Sequence, residues 1–356
     1  MPDPAPSAAG RRGRRPELLL ALGSAVSCLL LLLLAELALR AFRRHTLDDR
    51  PEAGLALLHR YSAVYGWELR PSSRVQVDGH LTTVNALGQR GVAHARARTA
   101  GRRRVVLLGD SVAFGYGVPD DQTFAFRLEA DGFDVVNLSV PGYGTDQELL
   151  RLQREGLAFQ PEVVVLDVCL ENDFVDNVSP RFFYDDLHPK PYFVLEGERL
   201  VLHQEHLRLP ARARAGLWLR EHSFLLNWLR PRAQPHGAEW RQRKAAALGD
   251  EAAALRLSVR LVQAAAAAAR AAGSRFLLVL HPNREDFQQG SPGGSALRAA
   301  ALPGEAAVLD LAAAYHARGL HFRDLTLESV GHLNARGHAV TAGLLEDALR
   351  GPRPSR

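Results

Sequence analysis

The sequence predicts an α/β protein: a doubly wound, parallel, five-stranded sheet in a three-layer α/β/α arrangement, preceded by one N-terminal transmembrane helix. Three observations predict it. Short apolar runs rich in β-branched residues recur at Val105 to Leu108, Asp134 to Val140, Glu162 to Cys169, Arg275 to Leu280 and Val308 to Leu311, as expected of strands buried on both faces. Stretches with helical apolar spacing lie between several of these runs, and strands alternating with helices imply a parallel sheet. Ahead of them all, the 18 residues from Leu18 to Ala35 carry no charge, and apolar character continues to Phe42, enough to cross a bilayer.

Taken in order, residues 1–16 are small, proline-containing and arginine-rich, and are expected to form a disordered basic tail. Residues 17–42 form the anchor. A cleaved signal peptide would have a shorter apolar region and a small-residue cleavage site, whereas leucines continue here, so an uncleaved signal anchor is expected. Arginines flank it on both sides, Arg11, Arg12, Arg14 and Arg15 against Arg40, Arg43 and Arg44, so charge does not fix its direction. The large domain is expected to lie outside the cytoplasm, in the periplasm or at the cell exterior. Residues 43–100 form a lead segment that packs on the domain, with turn signals at Tyr65 to Pro71 and Thr83 to Gly91. Residues 101–350 form the main domain. Within it, Thr145 to Ala158 and the alanine-rich Ala252 to Ala272 have helical spacing, and His338 to Leu349 is a closing amphipathic helix. Residues of about 180–248, rich in proline, histidine, arginine and aromatics, break the alternation and are expected to be an insertion near the mouth of the sheet.

Composition narrows the function. Of 356 residues 47% are hydrophobic and 23% charged, values of a folded globular chain. The net charge of +5 comes from scattered arginines, with Lys190 and Lys244 the only lysines and aromatics only 7%. Such a chain offers no stacking platform, and nucleic acid is not an expected partner. Cys28 lies in the apolar stretch and Cys169 at a strand end, so no disulfide is expected.

Candidate chemistry gathers where strands end. Gly109-Asp110-Ser111 follows the first core strand, Val140-Pro141-Gly142 the second, and Leu170-Glu171-Asn172-Asp173 the third, while Gly331-His332-Leu333-Asn334 precedes the last helix. In parallel sheets ligands bind beyond the carboxyl ends of strands, so a serine, a glycine amide, an asparagine amide and a histidine could converge. Asp110 or Ser111 acting only as a helix cap is the alternative reading. His203 and His206 lack a third ligand partner, and no metal or organic cofactor is expected.

These four blocks, in this order, resemble the SGNH hydrolases, also called the GDSL esterase and lipase family. Gly109-Asp110-Ser111 matches the first block with Val112 in place of the usual leucine, Gly142 the second, Asn172 in Asn172-Asp173 the third, and His332 the last. The resemblance is closest to membrane-anchored bacterial members, in which a segment like Asn85-Ala86-Leu87-Gly88-Gln89-Arg90-Gly91 precedes the serine strand. It implies a flavodoxin-like SGNH fold, Ser111 as nucleophile, His332 as base, and an oxyanion hole from Ser111, Gly142 and Asn172. The acid that usually lies three residues before the histidine is Ser329 here. Glu328 is the candidate to orient His332, with Asp324 or a backbone carbonyl as alternatives. The implied activity is ester hydrolysis by a serine esterase, with a glycan or lipid acyl ester as substrate and the membrane as partner. An O-acyltransferase using the same serine and a non-catalytic binding protein remain open alternatives.

Overall fold

The structure is a computed structural model that describes residues 14–42, 57–182, 188–229, 246, 248–290, 292–300, 306–327 and 331–351. The basic tail before residue 14 and Glu328 with Ser329 therefore lie outside the described residues, as do parts of the 43–100 segment and of the 180–248 interval.

Helix α1 (Arg14–Phe42) carries the apolar stretch; its span Glu17–Phe42 is long and apolar enough to cross a membrane. Two antiparallel hairpins follow, β1 (His59–Ser62) with β2 (Gly66–Leu69), and β3 (Arg74–Val77) with β4 (His80–Thr83). The central sheet then forms from β5 (Arg103–Leu108), β6 (Phe133–Asn137) and β7 (Val163–Cys169). After a hairpin of β8 (Tyr192–Glu196) and β9 (Arg199–His203), β10 (Arg275–His281) and β11 (Ala306–Asp310) complete it. All neighbours in the order β11-β10-β7-β5-β6 are parallel. The chain order reverses between β5 and β7, which makes their carboxyl ends the topological switch point where doubly wound folds bind ligands.

Alternation along β5 explains the two layers. Val105 and Leu107 face one apolar cluster and Val106 and Leu108 the other, all of them buried. The first cluster is covered by α3 (Phe124–Ala130) and the closing helices, and the second by α4 (Thr145–Arg154) and α8 (Glu251–Ala271). Helix α8 is also apolar and long, yet Ala265, Ala266 and Ala269 press it against the sheet, so it is a core helix whose small side chains permit close approach. A third cluster joins the hairpins to the site edge of the domain, with Trp67, Leu69 and Val84 packed on Phe114, Tyr116 and Tyr143.

The 180–248 interval divides in two. The β8–β9 hairpin packs on the α4 side of the sheet. Helices α6 (Ala211–His222) and α7 (Phe224–Leu229) instead meet β1 and α1.

Candidate active site

Strand β5 ends at Leu108, and the four-residue helix α2 (Ser111–Phe114) begins three residues later. Asp110 is its N-cap: the Val112 N–H donates to Asp110 Oδ1 at 2.8 Å. With the cap supplied by its neighbour, the Ser111 hydroxyl is free for another partner, and that partner is His332. Ser111 Oγ and His332 Nε2 lie 2.8 Å apart, 221 residues apart in sequence, and both side chains are half-buried. Gly109 is required between strand and helix, because a Cβ there would stand 2.5 Å from Ala113 Cβ and 3.2 Å from the Asp167 carbonyl.

His332 is held on three sides. The Tyr116 ring packs on its imidazole with centroids 4.6 Å apart. Its carbonyl accepts from Leu327 N–H at 2.7 Å, and the chain continues through Asn334, the N-cap of α9 (Ala335–Arg350). Nδ1 is buried and has no hydrogen-bond partner among the described residues. Burial, and then the neighbouring His281, hold the imidazole down at about 4, so it is a neutral base at physiological pH. His338 is buried inside α9 and accepts from the Phe124 N–H through Nδ1 at 3.2 Å, a packing role.

The other two blocks end on strands beside β5. Gly142 has φ +81, and a Cβ there would come within 2.2 Å of the Phe182 ring. The glycine therefore allows a turn that other residues resist, and lets an aromatic from the insertion close over it. Asn172 is the N-cap of α5 (Asp173–Val178). Its Nδ2 donates to Asp176 Oδ2 at 2.8 Å, with a longer 3.4 Å contact to Asp173 Oδ1. The Asn172 amide is thus held among the carboxylates of Asp176, Asp173 and Asp110.

Beneath these turns lies a buried acid cluster that the sequence did not flag. Asp110, Asp146, Glu148, Asp167, Asp173 and Asp176 are all buried. Burial pushes Asp110 up to about 6 and Asp176 to about 7. Burial followed by neighbouring acids raises Asp173 and Glu148 well above the carboxylate range. The compensating cation is Lys190, whose Nζ binds Asp146 and donates to the Asp176 carbonyl at 2.8 Å; the His281 Nδ1 lies 3.5 Å from Asp167.

Arg90, in the lead segment's glycine turn, is likewise buried and reaches the site edge. Its guanidinium donates to the carbonyls of Phe114 at 3.1 Å and Val118 at 2.7 Å, and to Asp120 Oδ1 at 2.8 Å. It pins the turn that ends the Ser111 helix. Sequence alone suggested only an edge strand and turn for this segment.

Among the described residues, His94, Glu129 and Asp134 could together hold a metal ion. They sit at the opposite edge of the sheet, where Arg104 donates to Asp134 at 2.7 Å and Arg102 lies 3.2 Å from Glu129. Arginine already fills the cation's part. His203 stacks on Tyr192, and His206 Nε2 contacts the Lys190 carbonyl at 2.8 Å.

The strand order, and a Ser111–His332 pair at the switch point, define the class: an α/β domain with the arrangement of SGNH hydrolases. No protein-family model matches the chain, and no curated protein matches it in sequence. Similar solved structures include a mutant of an acetyl-xylooligosaccharide esterase from Geobacillus stearothermophilus, 14% identical, covering 71% of this chain and 97% of that one with a TM-score of 0.41. An acetyl xylan esterase is 15% identical over 69% of this chain and 99% of its own, TM-score 0.39. A protein provisionally assigned to the G-D-S-L lipolytic family of Desulfitobacterium hafniense is 12% identical over 68% and 98%, TM-score 0.39.

Proposed function

We propose that this chain is a membrane-anchored serine esterase of the SGNH type that removes acyl groups, acetyl foremost, from a glycan or lipid ester of the cell envelope. The observation that carries the reading is the 2.8 Å contact between Ser111 Oγ and His332 Nε2. A buried neutral imidazole beside a hydroxyl at a helix start is the arrangement of an activated nucleophile.

In this reaction Ser111 Oγ attacks the ester carbonyl while His332 Nε2 takes its proton. The carbonyl electrons collect on the oxygen, held by the N–H groups of Ser111 and Gly142 and the side-chain amide of Asn172. The intermediate collapses, the leaving alcohol takes the proton from His332, and the acyl group stays on Ser111. Water activated by the same imidazole then releases the acid. Each oxyanion donor is worth roughly 2.7 to 4 kcal/mol in such sites. Glu328 is the residue proposed to receive the Nδ1 proton bond of His332. Helix α1 holds the domain at the membrane, with the domain outside the cytoplasm.

The test is labelling of the detergent-solubilised full chain with a fluorophosphonate probe and hydrolysis of an acetyl ester. Wild type is expected to label and to turn over; Ser111→Ala and His332→Ala are expected to do neither, with circular dichroism unchanged. An unlabelled, folded wild type would sink the esterase reading and favour a binding protein. Labelling with acetyl transfer to added glycan in place of hydrolysis would redirect it to an O-acyltransferase.

A further inference from the structure

We propose that the α6–α7 hairpin is a second membrane contact, which lays its exposed tryptophan and leucine side chains into the lipid headgroup layer and sets the catalytic domain against the bilayer. The inference rests on reading α1 as a membrane span.

The uncharged run of α1, Leu18 to Ala35, is about 27 Å long at ~1.5 Å per residue, close to the ~30 Å hydrocarbon core of a bilayer. The next residue is Glu36, so this carboxylate stands at the edge of the apolar layer. It is fully occupied there. Oε1 accepts from Phe224 N–H at 3.0 Å and Arg40 Nε at 2.7 Å, and Oε2 from Ser223 Oγ at 2.8 Å and Leu225 N–H at 2.9 Å. The donors Ser223, Phe224 and Leu225 form the start of α7. Arg40, one helical turn on, donates to the His222 carbonyl and lies over the Phe224 ring at 5.3 Å. The corner between α6 and α7 is therefore fixed at the height where the apolar run of α1 ends.

The same corner is tied to the domain. Arg70 donates to the carbonyls of His59 and Glu221, at 2.9 Å each, and so joins the end of α6 to the β1–β2 hairpin. What the hairpin leaves uncovered is apolar. Trp218 is 56% exposed, Leu219 48%, Leu226 44%, Trp228 40% and Leu229 59%. Two tryptophans and three leucines side by side along 12 residues are costly in water, and tryptophan is the side chain that favours the membrane interface. Exposed Arg212 and Arg214 on α6 suit anionic lipid headgroups. A bilayer is the occupant that the height of the corner selects.

The experiment uses the full chain in vesicles of phosphatidylcholine with about a third phosphatidylglycerol, with lipids brominated either near the headgroup or deep in the acyl chain, and a Trp240→Phe background. Tryptophan emission is expected to be quenched at least twofold more by the shallow bromines. Trp218→Phe with Trp228→Phe should abolish that quenching, leaving buried Trp67. Glu36→Ala, which frees the corner, is expected to halve it. A Leu30→Trp reporter in the Trp218→Phe/Trp228→Phe background reports α1 separately and should be quenched by the deep bromines. Deep quenching of the reporter with Trp218 and Trp228 unquenched overturns the docking and leaves the anchor standing. No quenching at either place removes the anchor and this inference with it. Unquenched tryptophans together with cross-linking between copies would assign the patch to a second copy of the chain.

Discussion

Ser111 and Asp110 divide two tasks that adjacent residues at a helix start can share. The carboxylate of Asp110 takes the Val112 N–H, so Ser111 faces His332 and can serve as nucleophile without leaving the helix uncapped. The partner on the far side of the imidazole sets its basicity: Nδ1 is buried without a described partner, and Glu328 lies outside the described residues. A pH profile addresses it. His332 accepts the serine proton only when neutral, so kcat/KM falls as pH drops through its pKa. Burial holds that value at about 4, whereas a carboxylate on Nδ1 stabilises the imidazolium and raises it. Wild type is expected to lose activity on the acid side at a higher pH than Glu328→Gln, whose limb should settle near about 4. Coincident limbs would remove Glu328 from the mechanism.

Elements were more legible than their ties. The five core strands, the long helices and the four strand-end blocks follow from β-branched runs and apolar spacing, because strands buried on both faces and helices with one apolar face leave that period in the sequence. The three-residue spacing that would have named the orienting acid is broken by Ser329, so spacing could not supply it. Long-range polar ties leave no period at all. Arg90 was visible only as part of a glycine turn, yet it spans from that turn to the carbonyls of Phe114, Gly115 and Val118 and to Asp120. Nothing local to Arg90 encodes partners 24 to 30 residues away. Its truncation would leave several carbonyls and the partly exposed Asp120 carboxylate without their donor, which costs roughly 1–3 kcal/mol. Arg90→Ala is expected to lower the unfolding free energy by that amount, seen as a lower denaturant midpoint with the slope unchanged, and to reduce kcat through loosening of the Ser111 helix. Arg90→Lys, which keeps the charge but loses the fork that reaches several acceptors, should recover less than half of the stability. Full stability in Arg90→Lys would show that charge alone, not the spread of hydrogen bonds, secures the turn.

Across the whole molecule, the buried acids beneath the site dictate how stability depends on pH. An acid whose folded pKa is raised above its unfolded value stabilises the fold below the unfolded pKa and loses that contribution as pH climbs through the folded one. Asp110, raised to about 6, and Asp176, raised to about 7, both by burial first, act between about pH 4 and 7. Asp146 shifts the same way, because its burial outweighs the attraction of Lys190; Asp173 and Glu148 do so more strongly. Two histidines oppose them. His332, held at about 4, and His338 are both depressed by burial, so the stability they contribute is present above about pH 6.5 and is lost as pH falls through their folded values. Five acids against two histidines give a melting temperature that falls by several degrees from pH 5 toward pH 8. Asp176→Asn removes one titrating group and should flatten that fall, at some cost in activity because Asp176 Oδ2 holds Asn172 Nδ2. Lys190→Met should steepen it, since Asp146 then ionises with no counter-charge in a dry interior. A melting temperature that rises from pH 5 to pH 8 in the wild-type chain would mean that the cluster is compensated by cations in a way that its six buried carboxylates and the few positive groups beside them do not provide.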